Sequence, residues 1–243
     1  MKKSFYDDSE FSYLDYWKGR QYEHKSEIVA LTNLLGTTAY GVIADIGGGF
    51  GRITKLLAKY AKQTILVEPA LKQRTIAKEH LKGLPGVLIK PGTAEVTNLA
   101  DKSVDVAVLV RVMHHLPDPD PALIELHRIL KDDGLAIIEF ANSLNLKSRI
   151  QSLISGKPIL PAPIDRRRLV NIRKNSIPFV NHHPISFQKT LNRNGFKVER
   201  ILSVSNFRGL PIKSLRLEKL LQPLLSTLFF GPSIFILAKK TNL

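Results

Sequence analysis

Two short stretches of the chain hold residues whose types and spacing can do chemistry. The first is V-I-A-D-I-G-G-G-F-G-R, Val42 to Arg52, where Gly47, Gly48, Gly49 and Gly51 follow an apolar run. Backbone without Cβ atoms lets a ligand approach closely, and this loop opens toward a helix. Asp45 is read as the residue that orients the loop. The next acid at the end of an apolar run is Glu68, 19 residues past Gly49. A carboxylate there can accept hydrogen bonds from both hydroxyls of a ribose. The second stretch is R-V-M-H-H-L-P-D, in which Arg111 offers a cation to a cofactor or an acidic substrate. His114 and His115 offer imidazoles whose ordinary pKa suits proton removal from a hydroxyl or amine.

Spacing narrows the nucleotide. A dinucleotide fingerprint needs G-x-G-x-x-G, with the last glycine allowing close helix–strand packing. Counted from Gly47 and Gly49, that position is Arg52; counted from Gly48, Phe50 stands at the second glycine. A phosphate loop ending in G-K-[ST] is also absent, since Arg52 and Ile53 follow Gly51. What remains is D-x-G-x-G-x-G with an acid one strand later.

These residues must be positioned by an α/β frame. Apolar spacing predicts a helix over 20–35 stopped by Gly36, after an aromatic-rich stretch at 4–19 that includes Phe5, Tyr6, Phe11, Tyr13, Tyr16 and Trp17. Strands are predicted at 40–46, 64–67, 86–90, 104–110, 134–140, 196–204 and 233–239. Helices are predicted at 52–60, 70–81, 121–130, 184–194 and about 212–228. Strands alternating with helices imply a mostly parallel, doubly wound sheet of seven strands, with ligands beyond the carboxyl ends of the strands. Asp45–Gly51, Glu68, Gly92–Glu95 and Arg111–His115 all fall at such ends.

The rhythm breaks at 142–182, which holds Pro158, Pro161, Pro163, Pro178 and the run Arg166-Arg167-Arg168. This reads as a basic, lid-like insertion after the fifth strand, its cations including Lys147, Arg149, Lys157, Arg173 and Lys174. The chain of 243 residues is thus expected to be one domain: a helical cap at 1–36, a core at 37–141, the insertion at 142–182 and closing elements at 183–243.

Charge and composition bound the partners. Lys and Arg outnumber Asp and Glu by 36 to 21, a formal charge of +15. All of that excess lies after residue 140, where only Asp165, Glu199 and Glu218 are acidic. Such a field favours anionic partners: small molecules, nucleic acid or an anionic membrane surface. Only Phe179 is aromatic between 141 and 186, which disfavours a nucleic-acid groove with interleaved stacking side chains. The absence of cysteine excludes disulfides, thiolate nucleophiles and cysteine metal sites. His182-His183 lack acidic neighbours in sequence, so no metal site is expected. The N-terminus carries no apolar leader, and a cytoplasmic location is expected. Leu220–Ala238 is apolar, but Pro223, Gly231 and Pro232 make it helix, turn and buried strand rather than a membrane span; surface association stays open.

D-x-G-x-G-x-G followed by E-P-A at 68–70 resembles the first two motifs of the class I S-adenosylmethionine-dependent methyltransferases. S-V-D-V-A-V-L-V-R-V-M-H-H-L-P-D and R-I-L-K-D-D-G-L-A-I-I-E-F resemble the small-molecule members of that family, as seen in quinone biosynthesis. Y-W-K-G-R-Q-Y-E-H at 16–24 resembles a helix preceding the glycine motif in many members. The resemblance implies a Rossmann-like, seven-stranded fold binding S-adenosyl-L-methionine and releasing S-adenosyl-L-homocysteine. It implies a cofactor-contacting set of Arg20, Asp45, Gly47, Gly48, Gly49, Glu68, Pro69, Thr93, Ala94, Glu95 and Arg111. Within that set Arg20 is matched to the methionine carboxylate, Glu68 to the ribose and the turn from Thr93 to Glu95 to the adenine. Thr93 stands where the family commonly has aspartate. His114 or His115 is the candidate base, and Asp105 is read as structural. The implied reaction is methylation of a small molecule, anionic or lipid-like, with an RNA acceptor or cofactor binding without transfer as alternatives.

Overall fold

The run Val104–Leu109 is apolar at nearly every position because both of its faces are covered. Ala107 and Leu109 turn toward one layer of helices, while Val106 and Val108 turn toward the other. The structure, a computed structural model, describes residues 5–7, 13–173, 176–211 and 213–241. Phe11 and Lys174, named above, lie outside the described residues, as does Ile212 at the start of the helix predicted from about 212.

The central strand β4 (Val104–Leu109) lies between β1 (Tyr40–Ile46) and β5 (Leu130–Ala141). On the far side of β1 lie β2 (Ala61–Val67) and β3 (Val87–Lys90), all parallel. Beyond β5, β9 (Ser233–Lys240) runs antiparallel and β8 (Phe196–Val204) closes the edge, giving the order β3-β2-β1-β4-β5-β9-β8. This is the mostly parallel seven-stranded sheet that the alternation predicts. The layer over one face includes α5 (Asp120–Ile129) and α8 (Pro184–Arg193); the other includes α2 (Gln21–Leu35). The order reverses between β1 and β4, which opens a crevice at their carboxyl ends.

Boundaries shift where hydrogen bonding overrides local pattern. After the glycines only α3 (Thr54–Leu57) is helical, not 52–60. Lys59 and Tyr60 donate to carbonyls three residues back, and Tyr40 donates to the Tyr60 carbonyl, so the chain joins the sheet already at Ala61. The helix α4 (Leu71–His80) then carries the chain over β2 and β3. Strand β5 begins at Leu130 directly after α5, four residues ahead of the predicted Gly134.

Residues 143–181 leave the sheet and re-enter it at one point. Asn142 and His182 form a bridge, the Ser143 amide donates to the His182 carbonyl, and the His182 amide donates to the Ala141 carbonyl. Within this excursion lie α6 (Leu146–Ser155), the short pair β6 (Ile164–Asp165) with β7 (Val180–Asn181), and α7 (Leu169–Arg173). After β8 comes α9 (Leu215–Thr227), which contacts β8 and α2. Among the described residues no helix is long and apolar enough to cross a membrane; Leu220–Ala238 divides into α9, a turn and β9.

The clamp holding α2 onto the sheet is electrostatic. Glu27, fully buried on α2, bonds Arg111 at the tip of β4 through one carboxylate oxygen at 2.7 Å and Arg52 of the glycine loop through the other at 2.7 Å. The Arg52 guanidinium also lies 3.6 Å from the centre of the Trp17 ring, which belongs to α1 (Tyr13–Trp17). Burial alone works to raise the Glu27 carboxyl pKa, but the two guanidiniums outweigh it and hold the group below its ordinary range. Its stabilising contribution is therefore complete above the ordinary carboxylate pKa and is lost as pH falls through the depressed value. Glu27→Gln leaves two guanidiniums without their buried partner. It should cost about 3–5 kcal/mol, read as a drop in the urea midpoint at pH 7.

Candidate functional site

At the crevice the glycine loop is held from below and opened from above. Asp45 is buried, and its carboxylate accepts the Thr54 hydroxyl at 2.6 Å. A Cβ on Gly48 would come within 2.8 Å of that carboxylate, so the residue has to be glycine for Asp45 to fit beneath it. Gly47 has φ +70°, and a Cβ there would meet Val112 at 2.5 Å. Its amide donates to the Val67 carbonyl at 2.7 Å, tying the loop to the end of β2.

The cleft above has a volume of about 210 Å3. It is lined by nine of the residues singled out from the sequence: Gly47, Gly49, Glu68, Pro69, Thr93, Ala94, Glu95, Arg111 and His115. Four others do not line it. Asp45 and Gly48 sit under the loop, and His114 is buried against Phe179, with ring centres 5.0 Å apart. Arg20 begins α2 instead, with its guanidinium 4.2 Å from the Tyr16 ring centre and 3.8 Å from Glu23. Asp105 lies at the opposite end of β4, where it accepts the Val42 amide and Lys131.

Glu68 is buried yet faces this cleft. One of its oxygens accepts the Gly49 amide at 3.0 Å and the other the Ala70 amide at 2.8 Å. A carboxylate has about four lone-pair sites, so each oxygen keeps capacity for another donor. Burial pushes its pKa up to about 7 against the opposing pull of those two amides. Thr93 closes a turn by donating its amide to the Val96 carbonyl and accepting the Val96 amide on its hydroxyl.

Arg111 is the strained member. Its φ is +66°, a left-handed conformation that costs a non-glycine residue about 1–3 kcal/mol. Two contacts hold it: its amide donates to Glu139 at 2.8 Å, and its guanidinium is fixed on Glu27. Its side chain is thus committed to the clamp while part of it forms cleft wall.

Six lining residues escape a sequence reading: Tyr6, Tyr13, Gln73, Val112, Leu116 and Ile177. Tyr6 donates to or accepts from His115 Nε2 at 2.7 Å, and His115 Nδ1 lies 2.8 Å from the Pro178 carbonyl. A carbonyl only accepts, so Nδ1 carries the proton, and in the neutral ring Nε2 is the acceptor of the Tyr6 hydroxyl. Burial lowers the His115 pKa, and it lowers that of His114 further, aided by His115, Arg111 and His182. Burial raises the Tyr6 pKa, so the phenol stays protonated. The one sequence signal for Tyr6 and Tyr13 is the aromatic density of residues 4–19.

Gln73 bears directly on whether a cofactor fits. Both polar atoms of its amide are buried with no hydrogen-bond partner, and the residue lines the cleft. A buried, unsatisfied amide costs about 1–3 kcal/mol and calls for a partner. With the spare capacity of Glu68 and the bare backbone at Gly47 and Gly49, it fits a polar nucleoside. Among the described residues no group of His, Asp and Glu is arranged to hold a metal ion.

Residues 44–138 match the family described as Methyltransferase domain. YcgJ of Bacillus subtilis, an uncharacterized methyltransferase, is 29% identical over 117 residues, which is 42% of this chain and 46% of that protein. The ubiquinone/menaquinone biosynthesis C-methyltransferase UbiE of Rubrivivax gelatinosus is 32% identical over 92 residues, 38% of this chain and 36% of that protein. The chain therefore spans less than half the length of these curated relatives. A SAM-dependent methyltransferase from Thermotoga maritima has the same fold, with a TM-score of 0.65 at 21% identity over 94% of both chains. So does an S-adenosylmethionine dependent methyltransferase from Mesorhizobium loti, with a TM-score of 0.64 at 15% identity over 88% of this chain and 98% of the other.

The raised pKa of Glu68 has a consequence for stability with a definite sign. The native state binds its proton more tightly than the unfolded chain does, so between about pH 4.5 and 7 this group makes stability fall as pH rises. Glu68→Gln gives up one of the two amide contacts at every pH but lacks this titration, so its stability relative to the wild type should rise by on the order of 2 kcal/mol from pH 5 to pH 8. Paired urea titrations at the two pH values test this, because the histidine contributions cancel between the proteins.

Proposed function

We propose that this chain is a class I S-adenosylmethionine-dependent methyltransferase that methylates a small-molecule acceptor. The observation that carries the reading is the meeting, in one cleft, of Glu68, the unsatisfied amide of Gln73 and the bare backbone of Gly47 and Gly49, with His115 on the same wall system.

When bound, S-adenosylmethionine supplies a methyl carbon on a sulfonium whose thioether is the leaving group. The protein's part is alignment and exclusion of water. Glu68 holds the ribose hydroxyls with its free lone pairs, and Gln73 completes the polar contacts of the nucleoside. The turn from Thr93 to Glu95 borders the adenine, and Pro69 and Ala94 give it apolar walls. Arg111 contributes wall and field but is already paired with Glu27.

His115 is the better base of the two histidines. Its Nδ1–H is fixed on Pro178, which leaves Nε2 to take a proton from an acceptor hydroxyl or amine standing in the place of Tyr6. The excursion over 142–182 supports a closing role: Ile177 lines the cleft, Pro178 orients His115 and Phe179 covers His114. Leu116 and Ile177 wall the cleft beside His115 and give the acceptor an apolar border.

Titration calorimetry should show S-adenosylmethionine or S-adenosylhomocysteine binding to the wild type. Loss of two charge-assisted hydrogen bonds in Glu68→Ala should weaken it about 100-fold. No binding of either compound by folded protein would sink the reading. Once an acceptor is in hand, His115→Ala should lower kcat about 100-fold, while His114→Ala changes stability more than rate. Because burial lowers the His115 pKa, the wild-type rate should hold as pH falls past the ordinary histidine value and decline only below it. Equal turnover in the wild type and His115→Ala retires the base assignment.

A further inference from the structure

Helix α9 turns much of its polarity inward. Its Glu218, Gln222 and Ser226 are buried beside Leu225, while Leu217, Leu220, Leu224 and the capping Leu228 are exposed, Leu220 and Leu224 at 70% and 61%. The four leucines recur at intervals of three or four residues, so they form one stripe along the helix. The inward polar side has its own reason: Glu218 accepts the Tyr22 hydroxyl at 2.7 Å and the Asn206 amide at 3.1 Å. Nothing comparable covers the leucines.

Helix α6 repeats the pattern without any buried residue. Leu146, Ile150, Leu153 and Ile154 fall on one side of it, and the last two are each 82% exposed. The two helices meet end to end: the Leu146 amide donates to the Phe230 carbonyl, and the Arg149 guanidinium bonds the Leu228 carbonyl. At this junction a cavity of about 730 Å3 opens, with Leu146, Ile150, Leu210 and Phe230 among its walls.

The charge around these stripes has one sign. Lys147, Arg149 and Lys157 belong to α6 and its exit; Lys213, Arg216 and Lys219 belong to the start of α9. Among the described residues none of the six has a carboxylate at ion-pairing distance. The three acids after residue 140 are engaged elsewhere: Asp165 on Arg167, Glu199 on Lys197 and Glu218 in the interior.

We infer that α6 and α9 form a docking face for an anionic phospholipid surface, with the leucine and isoleucine stripes entering the headgroup boundary and the flanking cations meeting the lipid phosphates. Charge complementarity selects this occupant. A second copy of the chain would bring the same uncompensated cations to an isologous contact, at a Coulombic cost. Nucleic acid would leave two aliphatic stripes against water, where stacking aromatics are wanted. An amphipathic, cation-flanked apolar face has the composition of an interfacial helix, and each lysine or arginine near an anionic surface adds to binding. The inference stands apart from methyl transfer and does not depend on it.

Vesicle co-sedimentation of the full chain tests it. Vesicles of phosphatidylcholine with one-quarter phosphatidylglycerol should retain the protein at 0.1 M salt; pure phosphatidylcholine should retain at least about tenfold less. Raising salt to 0.5 M should weaken retention about tenfold. Leu153→Ser with Ile154→Ser, both at highly exposed positions, should lower retention about tenfold or more with the thermal midpoint unchanged. Leu220→Ser with Leu224→Ser should repeat that loss on the other helix. Failure of the wild type to bind the anionic vesicles overturns the inference, as does retention that the serine variants leave intact. Concentration-dependent self-association abolished by the same variants would also overturn it, by making the face an interface between copies. Retention of single-stranded RNA with equal sensitivity to the variants would assign the face to nucleic acid instead.

Discussion

Glu27 sits fully buried between Arg52 and Arg111, and three separate parts of the chain depend on that placement. Arg52 ends the glycine loop, Arg111 ends β4, and Glu27 belongs to the helix that covers both. A carboxylate taken out of water needs compensation from both sides, and each guanidinium needs the carboxylate in turn. The pairing therefore fixes the distance between loop, strand tip and helix more tightly than apolar contact does. It also settles the use of Arg111, whose left-handed backbone is tolerated because amide and side chain are both anchored. The cleft inherits its shape from this clamp.

Around the clamp, polar groups are buried in two distinct ways. Asp45 and Glu218 are buried and satisfied by the protein: Thr54 serves the first, Tyr22 and Asn206 the second. Gln73 is buried with neither amide atom partnered, and Glu68 is partnered only in part. The first kind holds the fold in register. Gln73 and Glu68 share one space, the cleft, where a polar ligand could supply the missing partners.

The sheet was legible in the sequence because its parallel strands carry short apolar runs, the first three closed by Gly47, Glu68 and Pro91. Strands 40–46 and 196–204 agree with the structure to the residue. The cleft was legible where its residues are themselves strand ends, as at Gly47, Glu68, Thr93 and Arg111. It was not legible where the wall comes from elsewhere. Gln73 is an ordinary helical residue in one dimension; only its burial without a partner singles it out. Tyr6 and Ile177 reach the cleft from segments with no regular period. Arg20 shows the converse, since its sequence context matched a family feature while its side chain settles on Tyr16 and Glu23. Glu27 did leave a trace: it lies four residues before Leu31, on the apolar side of its helix, where an acid asks for a buried cation.

The bridge between Asn142 and His182 has a meaning for how such a chain can change over time. The chain leaves the sheet and returns to it at these two residues, in adjacent hydrogen bonds. Closing a longer or shorter loop between fixed ends alters the entropy only logarithmically. The length of segment 143–181 can thus differ at small entropic cost while β1 to β4 keep their form, with Ile177 and Pro178 tying its far end to the cleft. Change within that segment and change within the sheet meet at a single pair of residues.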